Sequence, residues 1–98
     1  MVEIIKYDYD GDWIIAMVRF EQKVYRVHIL QANAPCENGI NGGRILQLYA
    51  YRTPIEFHNG RIVAKAREDI CAFNEFWRVP PTGTAGKAIS KEFIKLFS

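Results

Sequence analysis

The chain has 98 residues, of which 49% are hydrophobic, 13% aromatic and 24% charged. This composition is typical of one globular domain and excludes a disordered chain, so we predict a single domain over residues 1–98. The net charge of +2 is too small to indicate, by itself, a nucleic-acid-binding or membrane-surface protein. We find no secretory leader pattern and no run of roughly 18 apolar residues, and therefore expect a soluble, cytoplasmic protein.

The first predicted elements are two antiparallel strands, over residues 2–9 and 12–20. The dipeptide Asp10-Gly11 separates two β-rich runs and is a strong signal for the tight turn of a hairpin. With this dipeptide at the tip, Tyr9 is expected opposite Asp12.

A third strand follows the break at Glu21–Lys23. A loop of two or four residues keeps the apolar side chains on one face, with Phe20 opposite Tyr25 in the longer form, whereas a loop of three residues would not. The expected register also sets Arg19 opposite Arg26. The second face of the three strands is then basic at one end and apolar at the other, and it carries Lys6, Trp13, Ile15, Met17, Arg19, Arg26, His28 and Leu30.

The remaining pattern predicts a fourth strand over 44–52, a turn at Asn59-Gly60, and a last strand over 69–79 with helix as the alternative at its start. Prolines then precede a C-terminal helix over 84–97, with Thr82 or Thr84 as its cap. Its apolar stripe consists of Ala85, Ile89, Phe93, Leu96 and Phe97. We therefore predict an α+β fold, a mainly antiparallel twisted sheet of five or six strands with one C-terminal helix packed on a face.

The sequence contains no pattern typical of a catalytic or metal site. His28, His58, Cys36, Cys71 and Ser90 form no known catalytic pair, and neither cysteine belongs to a zinc-binding pattern. The alternating aspartates near residue 10 lack the glycine and glutamate positions of a calcium loop. We predict a non-enzymatic protein without cofactor or metal, with Cys71 in a core and Cys36 in a loop.

Glycine and asparagine are concentrated just before the fourth strand, at Asn38-Gly39 and from Asn41 to Gly43. The stretch fits neither a Walker A loop nor a dinucleotide fingerprint. Residues of this kind tolerate positive φ and can form a nest of backbone N–H groups for an anion; the alternative is a connection that turns the chain into the strand. In the first case the ligand-binding residues are Asn41, Gly42, Gly43 and Arg44, with Tyr49, Tyr51 or Trp77 stacking on a base.

Two segments, from Asn38 to Leu48 and from Trp77 to Phe97, resemble a family of small uncharacterised proteins of phages and prophages of Gram-positive bacteria. The first contains the family's Gly-Ile-Asn-Gly-Gly-Arg-Ile stretch, and the second contains a tryptophan followed by prolines and a helix. Family relatives carry an acidic residue, an arginine and a glycine where this chain has Asn74–Phe76. The resemblance implies a phage origin without implying an activity.

A small phage protein without catalytic signatures is expected to be a binding protein. We predict that it inhibits or sequesters a host component, including a defence component, and that its partner is a host protein or an anionic nucleotide-type small molecule. Two alternatives remain open, namely a single-stranded nucleic-acid binder and a protein–protein inhibitor or structural homodimer. The predicted location is the host cytoplasm, with no membrane partner.

Overall fold

The computed structural model describes all residues, Met1–Ser98, and contains eight strands and one long helix. A short 3-10 turn, Ile40–Gly42, precedes the fourth strand. The strands and the helix are β1 (Glu3–Asp10), β2 (Trp13–Phe20), β3 (Lys23–Gln31), β4 (Ile45–Arg52), β5 (Ile55–His58), β6 (Arg61–Ala64), β7 (Glu68–Asn74), β8 (Phe76–Val79) and α1 (Gly83–Phe97).

Six strands form one antiparallel sheet in the order β1-β2-β3-β4-β7-β8. The hairpin β5–β6 is a separate two-stranded sheet inserted between β4 and β7, and we call it the arm (Ile55–Ala64). The predicted α+β fold is confirmed. The prediction of one last strand is wrong, since Glu75 adopts φ 69° and the chain reverses there, dividing the segment into β7 and β8.

The first hairpin is shifted from the predicted register by two residues. Tyr9 lies opposite Ile14 rather than Asp12, because the two loop residues are Gly11 and Asp12 and not Asp10 and Gly11. Gly11 has φ 63°, so the glycine takes the first central position of the loop, as in a type II′ turn. The shift is an even number of residues, and the side chains from Lys6 onward therefore stay on their predicted faces, whereas a bulge at Ile5 changes the face of Glu3 and Ile4.

The second hairpin has the shorter of the two predicted loops. Phe20 pairs with Lys23 rather than with Tyr25, so that Glu21 and Gln22 alone form the loop, with φ of 50° and 69°. Positive φ at both central residues is the type I′ geometry that matches the twist of the flanking strands.

The new register separates two arginines that were predicted to face each other. Arg19 lies opposite Val24 of β3 and Glu3 of β1, and its guanidinium is 3.3 Å from the Glu3 carboxylate. Arg26 lies opposite Tyr51 of β4. The predicted Arg19–Arg26 pairing is therefore wrong, and Arg19 is neutralised by Glu3.

One face of the sheet and helix α1 form the core, which confirms the predicted packing of the helix. On the helix, Ile89 and Phe93 are fully buried, while Leu96, predicted in the same stripe, is 50% exposed. Gly86 lets the helix approach the carbonyl oxygen of Ile70, where a Cβ would be too close. The buried side chains of the main sheet are Ile14, Ala16, Val18, Phe20, Tyr25, Val27, Ile29, Ile45, Leu48, Ala50, Cys71 and Phe73.

The N-cap of α1 and the positions of the two cysteines also agree with the predictions from the sequence. Thr82 is the N-cap residue of α1, and its hydroxyl donates to the Ile70 carbonyl at 3.3 Å. Cys71 is buried in the core and Cys36 is partly exposed in the loop before the 3-10 turn, as predicted. Burial raises the pKa of the Cys71 thiol to about 12. The 15-residue helix falls short of the length and apolar character that crossing a bilayer requires.

Candidate functional site

The glycine-rich loop has the positive-φ geometry that its composition predicts. Asn41 and Gly42 have φ of 54° and 70°. The N–H of Gly42 donates to the Gly39 carbonyl at 3.0 Å, and the N–H of Gly43 donates to the Ile40 carbonyl at 2.9 Å. The N–H groups of Gly42 and Gly43, which would bind an anion in a nest, are therefore already hydrogen-bonded to carbonyl groups of the loop.

The same loop is tied to its surroundings by close packing. The Arg44 Nε donates to the Ala32 carbonyl at 3.0 Å, and the Cys36 N–H donates to the Gly43 carbonyl at 3.0 Å. A Cβ on Gly39 would collide with the Gly43 carbonyl. This geometry supports the alternative interpretation of the loop, a packed corner that leads the chain into β4.

The predicted stacking residues lie on two different faces of the sheet. Trp77 is on the helix face, where its ring packs edge-on against Phe73 with centroids 5.2 Å apart. Tyr49 and Tyr51 are on the opposite face. The predicted ligand-binding residues therefore do not converge, and only these two tyrosines share a surface.

The face with the tyrosines has no helix or strand packed on it, and we call it the uncovered face. It includes the predicted basic and apolar strand face of β2 and β3, which β4 and β7 extend. Its side chains include Glu3, Lys6, Asp8, Asp10, Trp13, Ile15, Met17, Arg19, Val24, Arg26, His28, Leu30, Gln47, Tyr49, Tyr51, Asp69, Ala72 and Asn74.

A cavity of about 400 Å³ opens at the basic end of the uncovered face. We call it the basic cavity, because two arginines and no acidic residue are among the residues that line it. Its lining residues are Met17, Val24, Arg26, Tyr51, Arg52 and Thr53.

Tyr51 contacts two of the basic side chains around the basic cavity. Its hydroxyl is 3.1 Å from the His28 Nε2, and the Arg67 guanidinium lies over its ring, 4.7 Å from the centroid. Arg52 is 3.2 Å from the Glu68 carboxylate, while Arg67 is 2.9 Å from that of Asp69. Arg26 has no such carboxylate partner, and it is therefore the strongest anion attractor in the cavity.

The charges around the basic cavity also act on His28. Burial, and then the positive charges of Arg26 and Arg67, lower the pKa of its imidazole below the ordinary 6.5. The neutral imidazole is thus the form that the folded protein favours at neutral pH.

We expect NMR titration of the His28 ring to give a pKa below 6.5, and the variant Arg67→Ala to move it upward. Because the folded state binds fewer protons than the unfolded state below 6.5, the His28 contribution to the free energy of unfolding should fall as pH drops through that region. Arg78→Ala, which removes an arginine from β8, is the matched control. If His28 has the same pKa in Arg67→Ala as in the wild type, the Arg67 charge does not lower the His28 pKa.

The other end of the uncovered face is apolar and aromatic. Trp13 stacks on Tyr49 with ring centroids 6.3 Å apart and an interplanar angle of 25°. The Tyr49 hydroxyl donates to the Gln47 Oε1 at 2.7 Å, and Trp13 pairs with Leu30 across the strands. Stacked aromatic rings and arginine side chains therefore lie at opposite ends of the uncovered face.

Sequence reasoning placed Arg26 on the right face but did not include it in the site, and it missed Arg67. The available signal was the basic end of the predicted strand face together with the Tyr51–Thr53 segment at the end of the fourth strand. No group of three or more His, Cys, Asp or Glu side chains is positioned to hold a metal ion.

Comparison with protein-family models, with curated proteins and with solved structures gave no match to this chain. The resemblance to phage proteins therefore stays a prediction, and the candidate site stands on its geometry alone.

Proposed function

We propose that this chain is a non-enzymatic binding protein that captures an anionic, nucleotide-type ligand in the basic cavity. The observation that carries the proposal is the position of Arg26 beside the Tyr51 ring in one cavity of about 400 Å³, with the Arg67 guanidinium over the same ring. Cavities of this size are common among small-molecule sites.

The chemistry of the lining fits such a ligand. Guanidinium groups bind phosphate oxygens through paired, charge-assisted hydrogen bonds. A tyrosine ring offers a flat apolar surface on which a base can stack. Arg26 is free of a carboxylate partner, so that a phosphate would not have to displace one from it.

The biological role follows from the resemblance to phage proteins. A phage protein that captures a nucleotide-type molecule in the host cytoplasm removes it from the host component that uses it. We therefore propose sequestration, and through it inhibition of a host system such as a defence system, as the role of the chain.

Isothermal titration calorimetry with ATP as the nucleotide probe and inorganic phosphate as the anion probe tests the proposal. We expect ATP to bind more tightly than phosphate, and the double variant Arg26→Ala, Arg67→Ala to weaken ATP binding by about tenfold or more. The matched control is Arg61→Ala, Arg78→Ala, which removes the same charge from outside the cavity and should leave the affinity within about twofold.

Equal weakening in the two double variants would show a general charge effect and contradict a site at the basic cavity. Undetectable ATP binding, together with no small molecule retained in native mass spectrometry of protein purified from bacterial cells, would overturn the nucleotide proposal. A single-stranded oligonucleotide that binds more tightly than ATP, with a steep loss of affinity in salt, would support the nucleic-acid alternative instead.

A further inference from the structure

The arm presents a wholly apolar face to its surroundings. Ile55 pairs with Ala64 and Phe57 pairs with Ile62, and because side chains alternate along a strand, these four lie on one face of the hairpin. Ile55, Phe57 and Ile62 are 60%, 76% and 65% exposed. No other part of the chain covers them.

The opposite face of the arm is mostly polar. It carries Glu56, which forms an ion pair with Lys65, and His58 opposite Arg61. A two-stranded hairpin is marginally stable in water when nothing packs on its apolar face. An amphipathic hairpin of this kind therefore gains stability from a partner that covers the apolar face.

The arm cannot cover the apolar end of its own uncovered face. It continues from the ends of β4 and β7, with a hydrogen bond from Lys65 N–H to the Pro54 carbonyl at 2.8 Å at its base. That is the basic end of the sheet, while Trp13 and Leu30 lie at the other end. A strand of eight residues separates the two ends by about 26 Å, and the molecule is 50 Å long and 24 Å wide.

The apolar end of the uncovered face complements the arm in both character and charge. Trp13, Ile15 and Leu30 supply an apolar surface of only partial exposure. The adjoining hairpin tip carries Asp8, Asp10 and Asp12. On the arm, Glu56 is paired with Lys65 at its base, whereas Arg61 has no carboxylate partner. The unpaired Arg61 of one copy and the acidic tip of another lie close together when two copies are antiparallel.

We propose that two copies of this chain associate about a two-fold axis, the arm of each lying on the apolar end of the uncovered face of the other. The two contacts are identical, so the assembly closes as a dimer and does not extend into a fibre. Each arm gains a cover for Ile55, Phe57 and Ile62, and its Arg61 approaches the partner's acidic tip. The proposal is independent of the nucleotide ligand, since the arm does not line the basic cavity.

Sedimentation velocity without ligand gives the first test. The expected mass is twice 11.3 kDa for the wild type, and Phe57→Asp should be monomeric. Val63→Asp is the matched control, because Val63 is also exposed but lies on the other face of the arm, and this variant should remain dimeric. A wild type of 11.3 kDa at every concentration up to the millimolar range would overturn the proposal.

Mixing two defective variants tests the reciprocal arrangement. Trp13→Asp should also be monomeric, and circular dichroism establishes that both variants are folded. In an equimolar mixture the intact arm of the Trp13→Asp chain meets the intact face of the Phe57→Asp chain, so a mixed dimer should appear. A dimeric Trp13→Asp variant, or an equimolar mixture that stays monomeric, would contradict the arm-on-face contact.

Charge reversal offers a second route that leaves the core untouched. Asp10 and Arg61 are exposed strand residues next to turns, and Asp10→Lys and Arg61→Glu should each weaken dimerisation several-fold. Their combination in one chain restores opposite charges across each contact and should recover most of the loss. Additive weakening in the combined variant would contradict the pairing of tip and arm.

Discussion

Replacing Gly39 with alanine is expected to destabilise the protein by about 3 kcal/mol, the upper range for an added methyl group in a packed site. The new Cβ would collide with the carbonyl oxygen and carbon of Gly43, which are backbone atoms. They cannot move aside without breaking the Cys36 N–H bond to the Gly43 carbonyl. In thermal unfolding followed by circular dichroism, the melting temperature should fall by roughly 15 °C.

Gly42→Ala is the matched control within the same loop. A Cβ at Gly42 meets no atom within 4 Å, but the residue has φ +70°, so only backbone strain of about 1 kcal/mol is expected. If Gly39→Ala costs no more than Gly42→Ala, the loop is not held by close packing and the anion-nest interpretation regains support.

Truncating Phe93 to alanine is expected to cost about 4 kcal/mol, within the range measured for buried phenylalanines. Phe93 is fully buried between helix α1 and the sheet, and its removal leaves a cavity that the short sheet strands cannot close. For a domain with a total stability of about 5–15 kcal/mol, this is a large fraction. Urea unfolding should show a much lower midpoint with little change in slope.

Leu96→Ala on the same helix is the matched control. Leu96 is 50% exposed, so its truncation should cost less than about 1 kcal/mol. Similar losses for the two variants would mean that α1 is not packed on the sheet through Phe93.

The sequence pattern predicted which face each strand residue occupies, but not the exact pairing. Alternation of apolar residues decides the parity of the register, which was correct for the second hairpin and, from Lys6 onward, for the first. The remaining choice, a shift by two residues, depends on turn geometry at Gly11 and at Glu21-Gln22. Positive φ at Glu21 and Glu75 has no signature in residue type. The sequence therefore could not decide between the two-residue and four-residue loops of the second hairpin, and could not predict the division of the last strand.

The candidate site was less accessible to sequence reasoning than the fold. A nest and a packed corner both require positive φ, so the composition of the glycine loop cannot distinguish them. The difference lies in the internal bonds of Gly42 and Gly43 and in contacts with Ser98, at the far end of the chain. The basic cavity likewise depends on the exact register of β2, β3 and β4, which brings Arg26 beside Tyr51.

The arm is inserted outside the six-stranded sheet, so its sequence is constrained differently from that of the sheet. Arg52 and Glu68 are paired neighbours at the ends of β4 and β7, so a short turn could join them and leave the strand order unchanged. The residues of the six-stranded sheet must pack into the core, whereas the length and sequence of the arm are limited only by what the arm contacts. Mutation in the insertion can therefore alter how the chain assembles while the rest of the domain stays the same, which makes this connection a natural place for related chains to diverge.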